Sequence, residues 1–247
     1  MQARNDSRTL ADRALRPLLG LGLLLVVVHG LLVLLWGGKQ TVPAPWNPLL
    51  LVNTERSVMT WVTIGLTFCF GAACLALGRL EGRRGWYGVA ALFLFLSLDD
   101  QGMLHELIGG FAKRRMGSEH AHPWVVVLGP LFALAGILAF RWLWRTVAGE
   151  TFLRRRILIA FAALGSSLFL ELVHKKLQQS GIGFAGHSLA GYSLPVEEFL
   201  EFLAPALLLT VAAGLLERAL RGESGDLASR RTSEDAPSGR GPLRRAS

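Results

Sequence analysis

Long apolar runs, separated by short polar or basic segments, dominate the chain. Six of these runs reach or approach the roughly 20 residues with which an α-helix crosses a bilayer. None shows the alternation of a β-strand, and a soluble domain of this size would show helices with one apolar stripe instead. The pattern predicts an all-α polytopic membrane protein with a six-transmembrane-helix bundle. The predicted spans are residues 17–36, 54–80, 86–108, 124–144, 157–177 and 195–216.

The segments outside these spans are polar. Residues 1–16 form a basic N-terminus, and residues 217–247 are rich in Ser, Gly, Arg and Pro, which predicts a disordered tail. The first apolar run is too long for a signal peptide, and no cleavage site with small residues follows it. We therefore expect an uncleaved first span and one transmembrane domain over residues 17–216.

The charges predict an orientation. The net charge is +8, but the Lys and Arg residues lie in loops and tails, so membrane topology and lipid headgroups account for them better than nucleic acid does. Six spans place both termini on one side, and that side carries 19 of the 26 Lys and Arg residues. The positive-inside bias predicts that both termini are cytoplasmic in a bacterial-type inner (plasma) membrane.

Ionisable residues interrupt three spans, all in the halves that this orientation assigns to the outer leaflet. In the third span, Asp99 and Glu106 are seven residues apart, so on a continuous helix they share a face, with His105 beside it. Asp100 points elsewhere. Charges at membrane depth are costly and usually mark a functional site, which we expect at this stretch.

The fifth and sixth spans contribute further polar groups at the same depth. Glu171 and His174 form a Glu-x-x-His pair, the spacing with which one metal is bound from adjacent helical turns, and Ser167 lies on the same stripe. The last span begins with three acids: Glu197, Glu198 and Glu201. The three spans are therefore predicted to form one polar layer.

Carboxylates mixed with imidazoles suit a divalent transition metal such as Zn, Fe or Mn. The predicted ligands are His105, Glu171 and His174. Ser167 is predicted to support them. Asp99, Glu106 and Glu201 are predicted as further ligands or catalytic bases. The leading hypothesis is a metal-dependent membrane enzyme, a hydrolase or an oxidoreductase, acting on a lipid-like amphiphile through metal-bound water.

Two other classes remain open. The acids could relay protons or cations in a coupled carrier, although the sequence shows only His29 and scattered Ser and Thr as a polar path onward to the cytoplasm. Alternatively, the acids could fix helix packing in an accessory subunit of a membrane complex.

The combined motifs Asp-Asp-x4-His-Glu, Glu-x2-His and Glu-Glu-x2-Glu resemble those of a group of uncharacterised bacterial six-span membrane proteins. The resemblance covers about residues 15–216 and implies the fold but no activity. The site is also faintly similar to that of the CREST membrane hydrolases. That family has seven spans and a His-x3-His motif, which this chain does not share, so its activity is not carried over.

Overall fold

A computed structural model describes residues 13, 15–28, 31, 57–116, 123–180, 183–184 and 187–221. These residues form seven helices and one antiparallel pair of two-residue strands. The helices are α1 (Leu15–Val28), α2 (Val58–Glu81), α3 (Gly85–Gly102), α4 (Leu104–Met116), α5 (Pro123–Thr146), α6 (Thr151–Ser180) and α7 (Leu189–Leu220); the strands are β1 (Gly183–Phe184) and β2 (His187–Ser188). The predicted helical architecture is confirmed.

Four helices within the described residues are long and apolar enough to cross a membrane. These segments are Val58–Glu81, Val127–Thr146, Thr151–Val173 and Pro195–Leu220, and they correspond to the second, fourth, fifth and sixth predicted spans. The apolar run of α3 is shorter because the helix ends in Asp-Asp-Gln-Gly. Residues 29, 30 and 32–36 of the first predicted span lie outside the described residues.

The third predicted span is not one continuous helix. α3 ends at Gly102, and Met103 adopts a left-handed backbone with φ 52°. The carbonyl of Met103 then accepts a hydrogen bond from the Leu107 amide, so α4 begins immediately afterwards. α4 continues eight residues beyond the predicted end of the span at residue 108, and Gly109 within it packs closely against the start of α5.

The last two spans are longer than predicted. α6 begins at Thr151 and α7 at Leu189, so Pro195 lies within α7 rather than in its first turn. α7 also continues to Leu220, which makes residues 217–220 helical and not part of a tail.

Among the described residues, the most extensive helix–helix interface joins α6 to α7, and α2 packs against both α3 and α7. Small residues such as Ala160, Ala163 and Ala204 are fully or almost fully buried in this core, which lets the helix backbones approach closely. Phe70 and Phe93 meet edge to face between α2 and α3, with ring centroids 4.6 Å apart. α1 packs on α2 and α7 through a smaller apolar cluster around Phe202.

Polar contacts join the helix ends opposite the α3–α4 junction. Glu81 accepts a 2.8 Å hydrogen bond from the Trp86 indole across the α2–α3 turn. Glu150, in the α5–α6 turn, pairs with Arg218 near the end of α7 at 2.9 and 3.3 Å. Side-chain contacts of Glu81 and Glu150 thus connect α2 to α3, and the α5–α6 turn to α7, at this end of the bundle.

Candidate functional site

The α3–α4 junction is held by one carboxylate. Asp99, only 3% exposed, accepts a 2.8 Å hydrogen bond from the backbone amide of His105 through Oδ1, and its Oδ2 lies 3.0 Å from Nδ1 of the His105 ring. When Asp99 is ionised, its carboxylate can only accept, and the imidazole donates from Nδ1. Nε2 is then the nitrogen left for other partners. Asp99 also satisfies an amide in the first turn of α4, where helices lack internal partners.

This contact changes the predicted role of Asp99. Asp99 and Glu106 do not share a helix face, because the break at Met103 separates them. Both oxygens of Asp99 are engaged by His105, so Asp99 positions the imidazole. Glu106 is exposed on α4, and Asp100 is exposed near the end of α3.

An aromatic residue connects His105 to α6. The ring centroids of His105 and Trp124, in the first turn of α5, are 4.9 Å apart. The side chain of Trp124 also forms a hydrogen bond with Glu171 on α6. The indole N–H is the donor in this contact, since Trp has no acceptor. Trp124 therefore packs on the imidazole and binds one of the predicted metal ligands.

The acids of α6 and α7 meet beside this pair. Ser167 donates a 2.7 Å hydrogen bond to Oε1 of Glu201. Glu197, one turn earlier on α7, is only 8% exposed, and its Oε2 has no hydrogen-bond partner among the described residues. A buried carboxyl oxygen without a partner is costly, which marks this position as unusual.

These groups share one electrostatic neighbourhood. Glu171 interacts with Glu201, His105 and Glu106, and Glu197 interacts with both Glu171 and Glu201. Glu201 in turn interacts with His105. We call Asp99, His105, Glu171, Glu197 and Glu201 the acid–imidazole cluster. Within the described residues, no Lys or Arg side chain forms an ion pair with Asp99, Glu197 or Glu201.

The predicted metal site is not assembled in the part of the chain that the structure describes. No three His, Cys, Asp or Glu side chains there are placed to hold a metal ion. The backbone of His174 belongs to α6, but its side chain lies outside the described residues. The metal and its ligand set therefore stay a prediction.

Sequence reasoning missed two contributors to the site. The sequence predicts Trp124 only as the start of the fourth span, and nothing in its neighbourhood predicts a contact with both His105 and Glu171. It also predicts a continuous helix through Met103, because a left-handed backbone at a residue other than glycine has little sequence signal.

Residues 18–215 match the model of a family described as a domain of unknown function, DUF8692. The chain belongs to the DUF8692 family. No curated protein and no solved structure matches the chain. The DUF8692 match includes α2 to α6, most of α7 and every residue of the acid–imidazole cluster.

Proposed function

We propose that this DUF8692 chain is a proton-coupled membrane carrier in which the acid–imidazole cluster takes up and releases protons. The observation that supports this function is a group of acids around one imidazole, of which Asp99 and Glu197 are buried, without a Lys or Arg counter-ion from the described residues against Asp99, Glu197 or Glu201. An isolated carboxylate in an apolar surrounding is very costly, and a bound proton removes the charge.

His105 is the group through which a proton passes in this proposal. Asp99 orients the ring, since its Oδ2 lies 3.0 Å from Nδ1. The proton is gained or lost at Nε2 and exchanges with the carboxyls of Glu171 and Glu201, the two cluster glutamates with an electrostatic interaction with His105. Ser167 holds Glu201 in place through one oxygen and leaves the other for this exchange.

The proposed topology has six spans, with both termini in the cytoplasm and the cluster in the outer leaflet of a plasma membrane. The distribution of charge supports this orientation. The turns and helix ends opposite the cluster are rich in arginine, as expected of a cytoplasmic face. The arginines there include Arg79, Arg83, Arg84, Arg145, Arg154, Arg155, Arg156, Arg218 and Arg221.

Infrared difference spectroscopy of the full chain in liposomes tests proton uptake directly. The carboxylic-acid carbonyl band should change with pH in the native chain and lose intensity in Glu197→Gln and in Glu201→Gln. Glu217→Gln serves as the control, because Glu217 lies on the same helix but is paired with Arg221 at the far end. An unchanged band in both cluster variants would contradict the proposal.

Transport is tested in the same liposomes with an internal pH dye. An imposed potassium diffusion potential should drive proton entry, and Asp99→Asn should reduce the rate while Glu217→Gln should not. If the carboxylic-acid band titrates but neither the native chain nor any variant shows proton flux, the cluster binds protons without transporting them. That outcome would favour the accessory-subunit function.

We keep a metal-dependent membrane enzyme as a second candidate because of one contact. A metal-binding histidine commonly donates its other ring N–H to a carboxylate, and Asp99 receives Nδ1–H of His105 in this way. His105, Glu171 and His174 would be the ligands of Zn, Fe or Mn, and the substrate would be a lipid-like amphiphile. Ser167 and Glu201 would lie beside the metal as supporting groups.

Metal analysis of the protein purified in mild detergent separates the two candidates. The enzyme hypothesis predicts a stoichiometric transition metal that is lost in His105→Ala and in His174→Ala but retained in His29→Ala. If the native protein contains no transition metal and its carboxylic-acid band still changes with pH, the enzyme hypothesis is eliminated and the carrier hypothesis stands.

A further inference from the structure

α4 has two different apolar faces. The first is directed into the protein: His105, Gly109 and Ala112 lie on it, and Gly109 and Ala112 are buried. A Cβ atom at Gly109 would lie 3.1 Å from the backbone nitrogen of Trp124, so this face packs closely on the start of α5.

The second face is uncovered among the described residues. It consists of Leu104, Leu107, Ile108 and Phe111, which follow the i, i+3, i+4, i+7 spacing of one helical stripe. All four are exposed, Leu107 to 72% and Phe111 to 55%. We call these four residues the outer stripe.

α4 ends in a cationic turn. Lys113, Arg114 and Arg115 are all exposed, and the guanidinium of Arg115 lies 5.4 Å from the centre of the Phe111 ring. Arg115 therefore continues the outer stripe with a positive charge. At 1.5 Å per residue, the 13 residues of α4 extend about 20 Å, which is too short to cross a hydrocarbon core of about 30 Å.

We propose that α4 lies in the bilayer interface, with the outer stripe among the acyl chains and the cationic turn bound to the phosphates of anionic lipids. An apolar stripe that ends in exposed Lys and Arg is the arrangement of interfacial helices. Charge complementarity selects this partner over a second copy of the chain, since two cationic turns would repel each other.

Spin-label accessibility in nanodiscs tests the placement of α4. Labels are introduced in the full chain as Leu107→Cys and, for comparison, Glu106→Cys, after the exposed Cys69 is replaced by Ser. The label at 107 should be more accessible to oxygen than to a water-soluble nickel complex, and the label at 106 should show the reverse. Water exposure of both labels, or protection of the 107 label from both reagents, overturns the proposal.

The preference for anionic lipid is tested with the label at 107. Nanodiscs of phosphatidylcholine alone are compared with an equal mixture of phosphatidylcholine and phosphatidylglycerol. The ratio of oxygen to nickel accessibility should rise with phosphatidylglycerol in the native sequence. The rise should be lost when residues 113 to 115 are all Gln and kept when they are all Lys, because the attraction is electrostatic. Loss in both variants, or in neither, overturns the assignment.

Discussion

Asp99 binds His105 twice, once at the backbone amide and once at ring nitrogen Nδ1, across the helix break at Met103. One side chain therefore begins α4 and also orients the imidazole of the acid–imidazole cluster. The architecture of the junction and the chemistry of the cluster depend on the same carboxylate.

Replacing Asp99 should destabilise the fold as well as the cluster. Asp99→Ala leaves the His105 amide and ring without their acceptor, and we expect the free energy of unfolding to fall by about 1–3 kcal/mol. Asp99→Asn keeps one acceptor oxygen and should cost less. Unfolding in mild detergent measures both, with Gln101→Ala, at an exposed position near the end of α3, as the control, expected within about 0.5 kcal/mol of the native chain.

Met103 is expected to carry backbone strain. Its φ of 52° is unfavourable for a residue with a Cβ atom and costless for glycine. Met103→Gly should therefore be more stable than Met103→Ala by about 1 kcal/mol. The alanine variant removes the same side chain but keeps the Cβ atom, so the difference in unfolding free energy isolates the backbone. Equal stabilities would mean that the junction is not left-handed.

Ser167 should matter more than its neighbour Ser166. Ser167 is buried and hydrogen-bonds Glu201, whereas Ser166 is exposed on the same helix. Ser167→Ala leaves a carboxyl oxygen without its donor, and we expect a loss of about 1–3 kcal/mol in unfolding free energy. Ser166→Ala should change it by less than about 0.5 kcal/mol. A reversed order would mean that the other face of α6 is buried.

Two glycines of α3 offer a test of the packing between α3 and α5. A Cβ atom at Gly85 would overlap the Trp142 ring, whereas one at Gly88 would meet no heavy atom within 4 Å. Gly85→Ala should lower the free energy of unfolding by about 1–3 kcal/mol through overpacking. Gly88→Ala should be neutral or stabilising by up to about 1 kcal/mol, because alanine favours helix. Thermal unfolding of the two variants, side by side, gives the comparison.

The apolar spans could be predicted because their signal is local. Four helices long and apolar enough to cross a membrane follow from composition and length alone. The polar residues of the site were visible for the same reason, since Asp99, Glu171 and Glu201 interrupt otherwise apolar stretches.

The break in the third span depends on contacts that have no local signal. Whether the chain continues as a helix past Gly102 is decided by the Asp99–His105 contact and by the packing of Gly109 on α5. The start of the last span is predicted too late, at Pro195. This residue is well placed to begin a helix, but α7 already extends six residues before it.

The glutamates and the histidine of the acid–imidazole cluster are held by different helix contacts. Glu171 and Glu201 are carried by α6 and α7, which share the most extensive interface in the described chain. Separating them would require opening that interface. His105 is carried by α4, a helix of 13 residues that follows the left-handed residue Met103. Displacing α4 would therefore separate the imidazole from these two glutamates without opening the α6–α7 interface.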